Sequence, residues 1–416
     1  MKILKISIKN YRSCNDLMFT PHEALSVLIG PNGSGKTNIL SAIKLLSAIY
    51  NHKSHGIVKS DSESSISELK TWYKIDDLTI THLAKLNIVT NEQNQDEIIS
   101  VDENWTIASI DKETNKRKSK MVSFPSWLLL DISRMQGTSF PGARSDIRKH
   151  FSNFLVSAGV DDAVLDTMSK LAHLVTRIRY YSASQFTNPT TCPISFEVEG
   201  VDSRHRTGIS ITGHKKLLFD IYQEYQKKSE EYIDFLNIVG SDGVGLVDSI
   251  EFKEIVTSSS NYSVRTGGAV TKKEKTNQLV IPSFIISGNA LSPNQLSEGT
   301  FKTLALVFYL VTDKSSILMI EEPEVCIHHG LLKSIVELIS VYSEEKQIFV
   351  STHSDAVLDS VDVDKVFKVS RIKGVGTKVN NIRKNMKKKE LAALKMYLAN
   401  EGSLGDYWKY GDLENV

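Results

Sequence analysis

Cysteine is scarce in this 416-residue chain: Cys14, Cys192 and Cys326 stand far apart, and no CxxC pair occurs. That excludes a zinc hook and a disulfide framework, and three isolated thiols fit a reducing compartment. Net charge is almost absent as well. Fifty Lys and Arg against 49 Asp and Glu leave +1, so no global field points to nucleic acid or membrane, and such a surface must be a local patch. No apolar run approaches the roughly 20 residues of a membrane span. The opening MKILKISIKN lacks the apolar stretch of a secretory signal, and the cytoplasm is the expected compartment. Internal repeats and sustained heptads are also missing, which excludes a long coiled coil. What remains, 41% apolar and 24% charged, is a soluble globular chain long enough for a sizeable core.

Periodicity then supplies the architecture. Ile3, Leu4, Ile6 and Ile8 among polar residues read as a strand, and Leu25–Ile29 as a short buried strand. After a glycine-rich turn, Ile39, Leu40, Ile43, Leu46 and Ile49 recur at helical spacing. Residues 51–145 are polar with strand-like fragments, and 146–179 and 216–239 carry helical patterns. The Ser-, Thr-, Gly- and Lys-rich stretch 257–277 reads as a mobile loop. A strand (279–287), a second glycine turn, a helix (301–312), a strand (316–320), a helix (330–342) and a strand (347–351) follow. Such alternation predicts α/β layering. The expected organisation is a nucleotide-binding head in two parts, 1–145 with a strand-rich lobe and 279–370. A helical and strand insertion lobe (146–278) separates them, and a basic segment and tail (371–416) end the chain.

Two sites in this frame carry chemistry. Gly30-Pro31-Asn32-Gly33-Ser34-Gly35-Lys36-Thr37, followed by Asn38, matches GxxxxGK[ST] in full between a predicted strand and a predicted helix. Glycines let backbone N–H groups wrap phosphates, the helix start adds its positive end, Lys36 reaches the β- and γ-phosphates, and the Thr37 hydroxyl can ligate Mg²⁺. The buried run Ile317–Ile320 ends in Glu321-Glu322-Pro323-Glu324. A carboxylate at a core strand end beside a phosphate loop holds Mg²⁺ or its waters, the role of Glu321, and Glu322 can polarise the attacking water. Two further signals are weaker. Ser297 and Gly299 in Leu296-Ser297-Glu298-Gly299-Thr300 open a helix and read equally as an anion site or as an ordinary N-cap. His353, in Ser351-Thr352-His353-Ser354 after a strand, gains weight only from its place after the acidic strand.

Taken in order, phosphate loop, signature turn, acidic strand and late histidine resemble the ABC ATPase head, and more narrowly its RecF/SMC/OLD branch. Ile8-Lys9-Asn10-Tyr11-Arg12-Ser13 is similar to that branch's opening, and GPNGSGKTN to its phosphate loop. The resemblance covers residues 1–50 and 280–359. LSEGT stands where LSGGQ is usual, and Glu-Glu where Asp-Glu is usual, both similar to OLD-type nucleases and to ATPase subunits of bacterial anti-phage systems such as PARIS and Septu. Cys326, His328 and His329 fall where that branch often reads ExHLHP. The 258 residues between Thr37 and Leu296 are too few for SMC arms. Asp362-Val363-Asp364 is a DxD by spelling, too near the core to serve a Toprim nuclease.

The resemblance implies a homodimer or higher symmetric oligomer sandwiching ATP and Mg²⁺. Lys36, Thr37 and Glu321 of one copy face Ser297 and Gly299 of the other, with His353 sensing the γ-phosphate and Glu322 activating water. The family's metal-linked glutamine would be Gln185, which reads equally as a loop residue. The expected role is an ATP-binding sensor or scaffold subunit that controls a separate effector, such as a nuclease encoded nearby. The alternative is a RecF-like repair ATPase on duplex DNA, for which Arg383-Lys384 and Lys387-Lys388-Lys389 form a dense basic cluster. A subunit of a restriction or toxin–antitoxin pair is a third reading.

Overall fold

A computed structural model describes residues 1–51, 66–76, 78–90, 96–110, 117–129, 162–199, 213–264, 270–325, 327, 329–400 and 402–409. The chain divides into two units. One comprises Met1–Tyr180, Lys314–Glu322 and Val336–Val416; the other comprises Tyr181–Asp313 and Pro323–Ile335. The basic segment thus lies in the same unit as the phosphate loop.

The first unit holds two sheets. β1 (Lys2–Tyr11), β2 (Cys14–Phe19), β4 (Ile66–Ile75), β5 (Leu78–Thr90), β6 (Asp96–Ile110) and β7 (Arg117–Val122) form an antiparallel sheet in the order β2-β1-β4-β5-β6-β7. The described residues of 51–145 supply four of its strands, β4 to β7. β4 buries every second residue, Ser67, Leu69, Thr71, Tyr73 and Ile75, while those between are exposed or half-buried, as a half-buried strand must. Trp105 sits at the centre, wholly buried, stacked on His82 at 4.0 Å and on Phe124 at 5.3 Å, with Tyr50 edge-on. Glu103 is buried alongside; it pairs with His82 at 2.7 Å and accepts from the Ser126 N–H at 2.8 Å, so its charge is compensated.

The second sheet carries the site. Its order is β16-β15-β3-β14-β13-β8, with β3 (Leu25–Ile29), β8 (Arg179–Ser182), β13 (Ile317–Glu321), β14 (Gln347–Thr352), β15 (Val366–Ile372) and β16 (Gly376–Asn381). β15, β3, β14 and β13 run parallel, and β16 turns back antiparallel at one edge. Every residue of β3 is buried and β14 likewise, the continuous apolar signature of a parallel core. The helix α1 (Lys36–Asn51) buries Ile39, Leu40, Ile43, Leu46 and Ile49, the residues whose spacing predicted it. This is an α/β core in which α1 follows the glycine-rich turn after β3.

Within the second unit, β9 (Phe196–Glu199), β10 (Ser249–Val264), β11 (Val270–Ile286) and β12 (Asn289–Leu291) make an antiparallel sheet. Helices Gly213–Lys227, Glu230–Val239 and Glu298–Thr312 accompany it. Two expectations are corrected here. The described residues of 257–277 are strand and not loop: β10 and β11 pair in unbroken register from Ser249↔Ile285 to Val264↔Val270. Backbone hydrogen bonds build such a ladder whatever the side chains are, so a Ser/Thr/Lys composition hides it. The helix read over 216–239 is two helices. Lys228 adopts φ +50, and the Ser229 side chain accepts from the Tyr232 N–H as the N-cap of the second. Of 146–179, the described part is helical at Asp162–Val175 and then becomes β8; residues 146–161 lie outside the described residues.

One buried amide ties the two sheets of the first unit. Gln347 is wholly buried; its Oε1 accepts from Ile3 N–H at 2.8 Å, and its Nε2 donates to Ile3 O at 3.0 Å and to His22 O at 2.9 Å. A Gln347→Leu change keeps the volume and strands three backbone groups. It is expected to lower stability by about 3 kcal/mol or more in urea unfolding, since each buried unmet group costs roughly 1–3 kcal/mol. A loss below about 1 kcal/mol would mean that water reaches these groups.

Candidate functional site

The phosphate loop leaves the carboxyl end of β3, the customary ligand end of a parallel sheet. Gly33 and Gly35 hold φ of +76° and +109°, a left-handed region closed to ordinary side chains, so both glycines are required by the loop's path. The loop is walled by two distant segments. Thr377, buried on β16, lies 2.8 Å from Ser13 Oγ and donates to Ser34 O at 3.0 Å, while its N–H donates to Ser13 O at 2.8 Å. Asn38 Nδ2 donates to Ser13 Oγ at 2.6 Å. A methyl group added to Gly35 would sit 2.1 Å from Thr377 Oγ1. Nothing in the octet motif signals Ser13 or Thr377 as its supports. Cys14, next to Ser13, has its thiol pushed up to about 11 by burial, so it is an inert core residue there.

Lys36 is buried, and its Nζ donates to Gly30 O at 2.8 Å and lies 2.8 Å from His353 Nε2. Thr37 Oγ1 donates to Glu321 Oε1 at 2.6 Å. The same carboxylate accepts on Oε2 from the hydroxyl of Tyr180 on β8, a residue the sequence reading missed because no motif marks it. Glu322, next in chain, has φ +48°, a conformation that costs a non-glycine residue about 1–3 kcal/mol and clusters at functional sites. Its N–H donates to Ser351 O at 2.9 Å, and its Oε1 lies 3.5 Å from His353 Nε2. Residues at the start of α1 and at the ends of β13 and β14, some 300 positions apart, therefore converge: Lys36, Thr37, Glu321, Glu322 and His353. Asn32, Gly33 and Ser34 also line a cleft of about 550 Å³ with Arg12, Ser13, Arg371 and Lys373.

The remaining predicted residues belong to the second unit. Ser297 is exposed; its Oγ accepts from the Thr300 N–H at 3.1 Å and caps the helix Glu298–Thr312, and Gly299 stands in that helix's first turn. The Glu of LSEGT has local work: Glu298 pairs at 2.6 Å with the buried ammonium of Lys302. Gln185 is exposed on the 3₁₀ turn Ala183–Phe186. Cys326 and His328 lie outside the described residues, as does the side chain of His329. Asp362 and Asp364 are engaged elsewhere: Asp362 pairs with Lys365 at 3.0 Å, and Asp364 faces His22 at 3.7 Å and Arg383 at 3.9 Å. Among the described residues no cluster of three or more metal-ligating side chains occurs, and no helix is long and apolar enough to cross a membrane.

Comparison with known proteins finds family matches in two stretches of the chain. Residues 1–151 match a family model described as an AAA ATPase domain, and residues 283–359 one described as an AAA domain, putative AbiEii toxin, Type IV TA system. The DNA replication and repair protein RecF of Prosthecochloris aestuarii (strain DSM 271 / SK 413) is 51% identical over 43 residues, 10% of this chain and 12% of that protein. RecF of Lactococcus lactis subsp. cremoris (strain MG1363) is 42% identical over 53 residues, 13% of this chain and 15% of that protein. The chain thus matches about an eighth of the length of these curated relatives. Among solved structures, an SMC head bound to the C-winged helix domain of ScpA has 14% identity and a TM-score of 0.42, with 93% of this chain and 100% of that one covered. The SMC head domain from Thermotoga maritima has 12% identity and a TM-score of 0.37, covering 92% and 99%.

Replacing Thr377 by Val keeps the shape and removes the hydroxyl that braces Ser13 and Ser34. The variant is expected to stay folded, with a loss of about 1–3 kcal/mol in denaturant unfolding for the stranded buried partners. An unchanged unfolding midpoint would show that the brace is dispensable.

Proposed function

We propose that the chain binds and hydrolyses ATP with Mg²⁺, and that ATP binding joins two copies through their heads. The observation that carries this reading is the meeting of Thr37 Oγ1 and Glu321 Oε1 at 2.6 Å, with Lys36 and His353 alongside. An all-oxygen donor set of hydroxyl and carboxylate suits Mg²⁺, a hard cation, so the residues fit the ion. Bound there, Mg²⁺ would neutralise charge developing on the phosphates. The backbone from Asn32 to Asn38 cradles the phosphates, and Lys36 neutralises the terminal ones. Thr37 and Glu321 hold the metal. Glu322 accepts the proton of the attacking water, its strained backbone fixing the carboxylate, and His353 senses the γ-phosphate. Exposed Ser297 and half-buried Gly299 would meet the nucleotide of a second copy, and closed two-fold symmetry would satisfy both sites at once.

In this reading the dimer is an ATP-gated sensor or scaffold of a bacterial anti-phage system, working in the cytoplasm and holding a separate effector protein such as a nuclease. The match of residues 283–359 to a model named for a putative toxin supports it. A second reading, a RecF-like ATPase on duplex DNA, is favoured by one observation. Between residues 365 and 395 stand eleven Lys and Arg against a single acid, Glu390, in a chain of net charge +1. Arg371, Lys373, Arg383, Lys384, Lys387, Lys388 and Lys389 of this segment are exposed.

Light scattering with ATP and Mg²⁺ tests the first reading. Glu322→Gln is expected to dimerise and to turn over ATP about 10²–10⁴-fold more slowly than the parent, the usual worth of a general base. Lys36→Ala is expected to remain monomeric. A Glu322→Gln protein that stays monomeric at saturating ATP would contradict ATP-gated joining. For the second reading, duplex DNA binding should weaken linearly in log–log with salt, and Lys387, Lys388 and Lys389 changed together to Glu should abolish it. Binding unaffected by salt or by that change would refute it.

A further inference from the structure

Both oxygens of Glu321 are held by hydroxyl groups. Thr37 Oγ1 takes Oε1 at 2.6 Å, and the Tyr180 hydroxyl takes Oε2. The first belongs to the phosphate loop. The second comes from β8, the edge strand beside β13, 141 positions before its acceptor. Tyr180 is itself anchored: its ring packs on the apolar core of the first unit, and the Lys44 ammonium of α1 stands 5.0 Å from the ring centroid.

The two hydroxyls differ in what they can do for a cation. An alcohol oxygen such as that of Thr37 ligates Mg²⁺ readily. A phenol O–H serves here as a hydrogen-bond donor. A donor on Oε2 removes the carboxylate's freedom to rotate and leaves Oε1 turned towards Thr37. Outer partners of metal-ligating groups act in this way, and losing one costs about 10–100-fold in metal affinity.

We propose that Tyr180 is a positioning residue for the metal end of the site: it fixes Glu321 through Oε2 so that Oε1 and Thr37 Oγ1 present one oxygen pair to Mg²⁺. The inference rests on the Mg·ATP reading above and adds to it a residue outside every sequence motif.

Tyr180→Phe keeps the ring and removes only the hydroxyl. Binding of a fluorescent ATP analogue is followed while Mg²⁺ is titrated, and again in EDTA. The variant is expected to need about 10–100-fold more Mg²⁺ for half-maximal enhancement of binding. Its affinity in EDTA and its melting temperature should match the parent's. Mn²⁺, which oxygen and nitrogen sites generally bind more tightly than Mg²⁺, should restore part of the loss. An unchanged Mg²⁺ requirement would overturn the proposal, and so would an equal loss with and without metal, since that marks a purely structural hydroxyl. If the parent protein binds the analogue but ignores Mg²⁺, the metal reading itself falls. If Mg²⁺ dependence is present in the parent and unaltered in Tyr180→Phe, only the role of Tyr180 falls.

Discussion

Thr377 and Ser13 brace the phosphate loop, and the candidate site depends on that contact. A loop with φ of +76° at Gly33 and +109° at Gly35 has no side chains of its own at those positions to fix it. Its walls come from the turn between β1 and β2 and from β16, the latter 343 positions away from Ser34. The order of the sheet follows the same need. β15 must pair with β3 for β16 to reach the loop, and β14 must lie between β3 and β13 for His353 and Glu321 to meet Lys36 and Thr37.

The residues of the site are paired with one another. Lys36 leans on Gly30 O and His353, and Glu321 is taken by Thr37 and Tyr180. A triphosphate brings negative charge to Lys36, which makes it a better partner for the ammonium than the imidazole of His353. Exchange of partners at Lys36 would release His353, which stands 3.5 Å from Glu322. Occupancy of the phosphate loop and the setting of the general base are thereby linked through one histidine, in the proposed account, with no movement of the strands.

Much of this was legible in the residues, and the reasons are local. The octet Gly30–Thr37 needs only its neighbours to be read, and so do the apolar runs of β3, β13 and β14. What escaped was non-local or compositional. Thr377 and Ser13 support the loop across hundreds of positions, which no spacing rule reports. Tyr180 acts through the pairing of a four-residue edge strand, too short to carry a pattern. The stretch 257–277 looked like a loop because its composition is polar, yet an antiparallel ladder runs through its described residues. The Glu of LSEGT read as a departure from a signature; in the fold it neutralises the buried Lys302 one turn along.

The central claim is that Gly30–Thr37, Glu321 and His353 form a nucleotide site in the folded chain. Isothermal titration of the purified protein with ATP in the presence of Mg²⁺ tests it most directly. The account requires saturable binding of one ATP per chain that disappears when Lys36 is changed to Ala in a protein of unchanged melting temperature. A folded parent that takes up no heat with ATP at any accessible concentration, or that binds it equally well without the Lys36 ammonium, would contradict it.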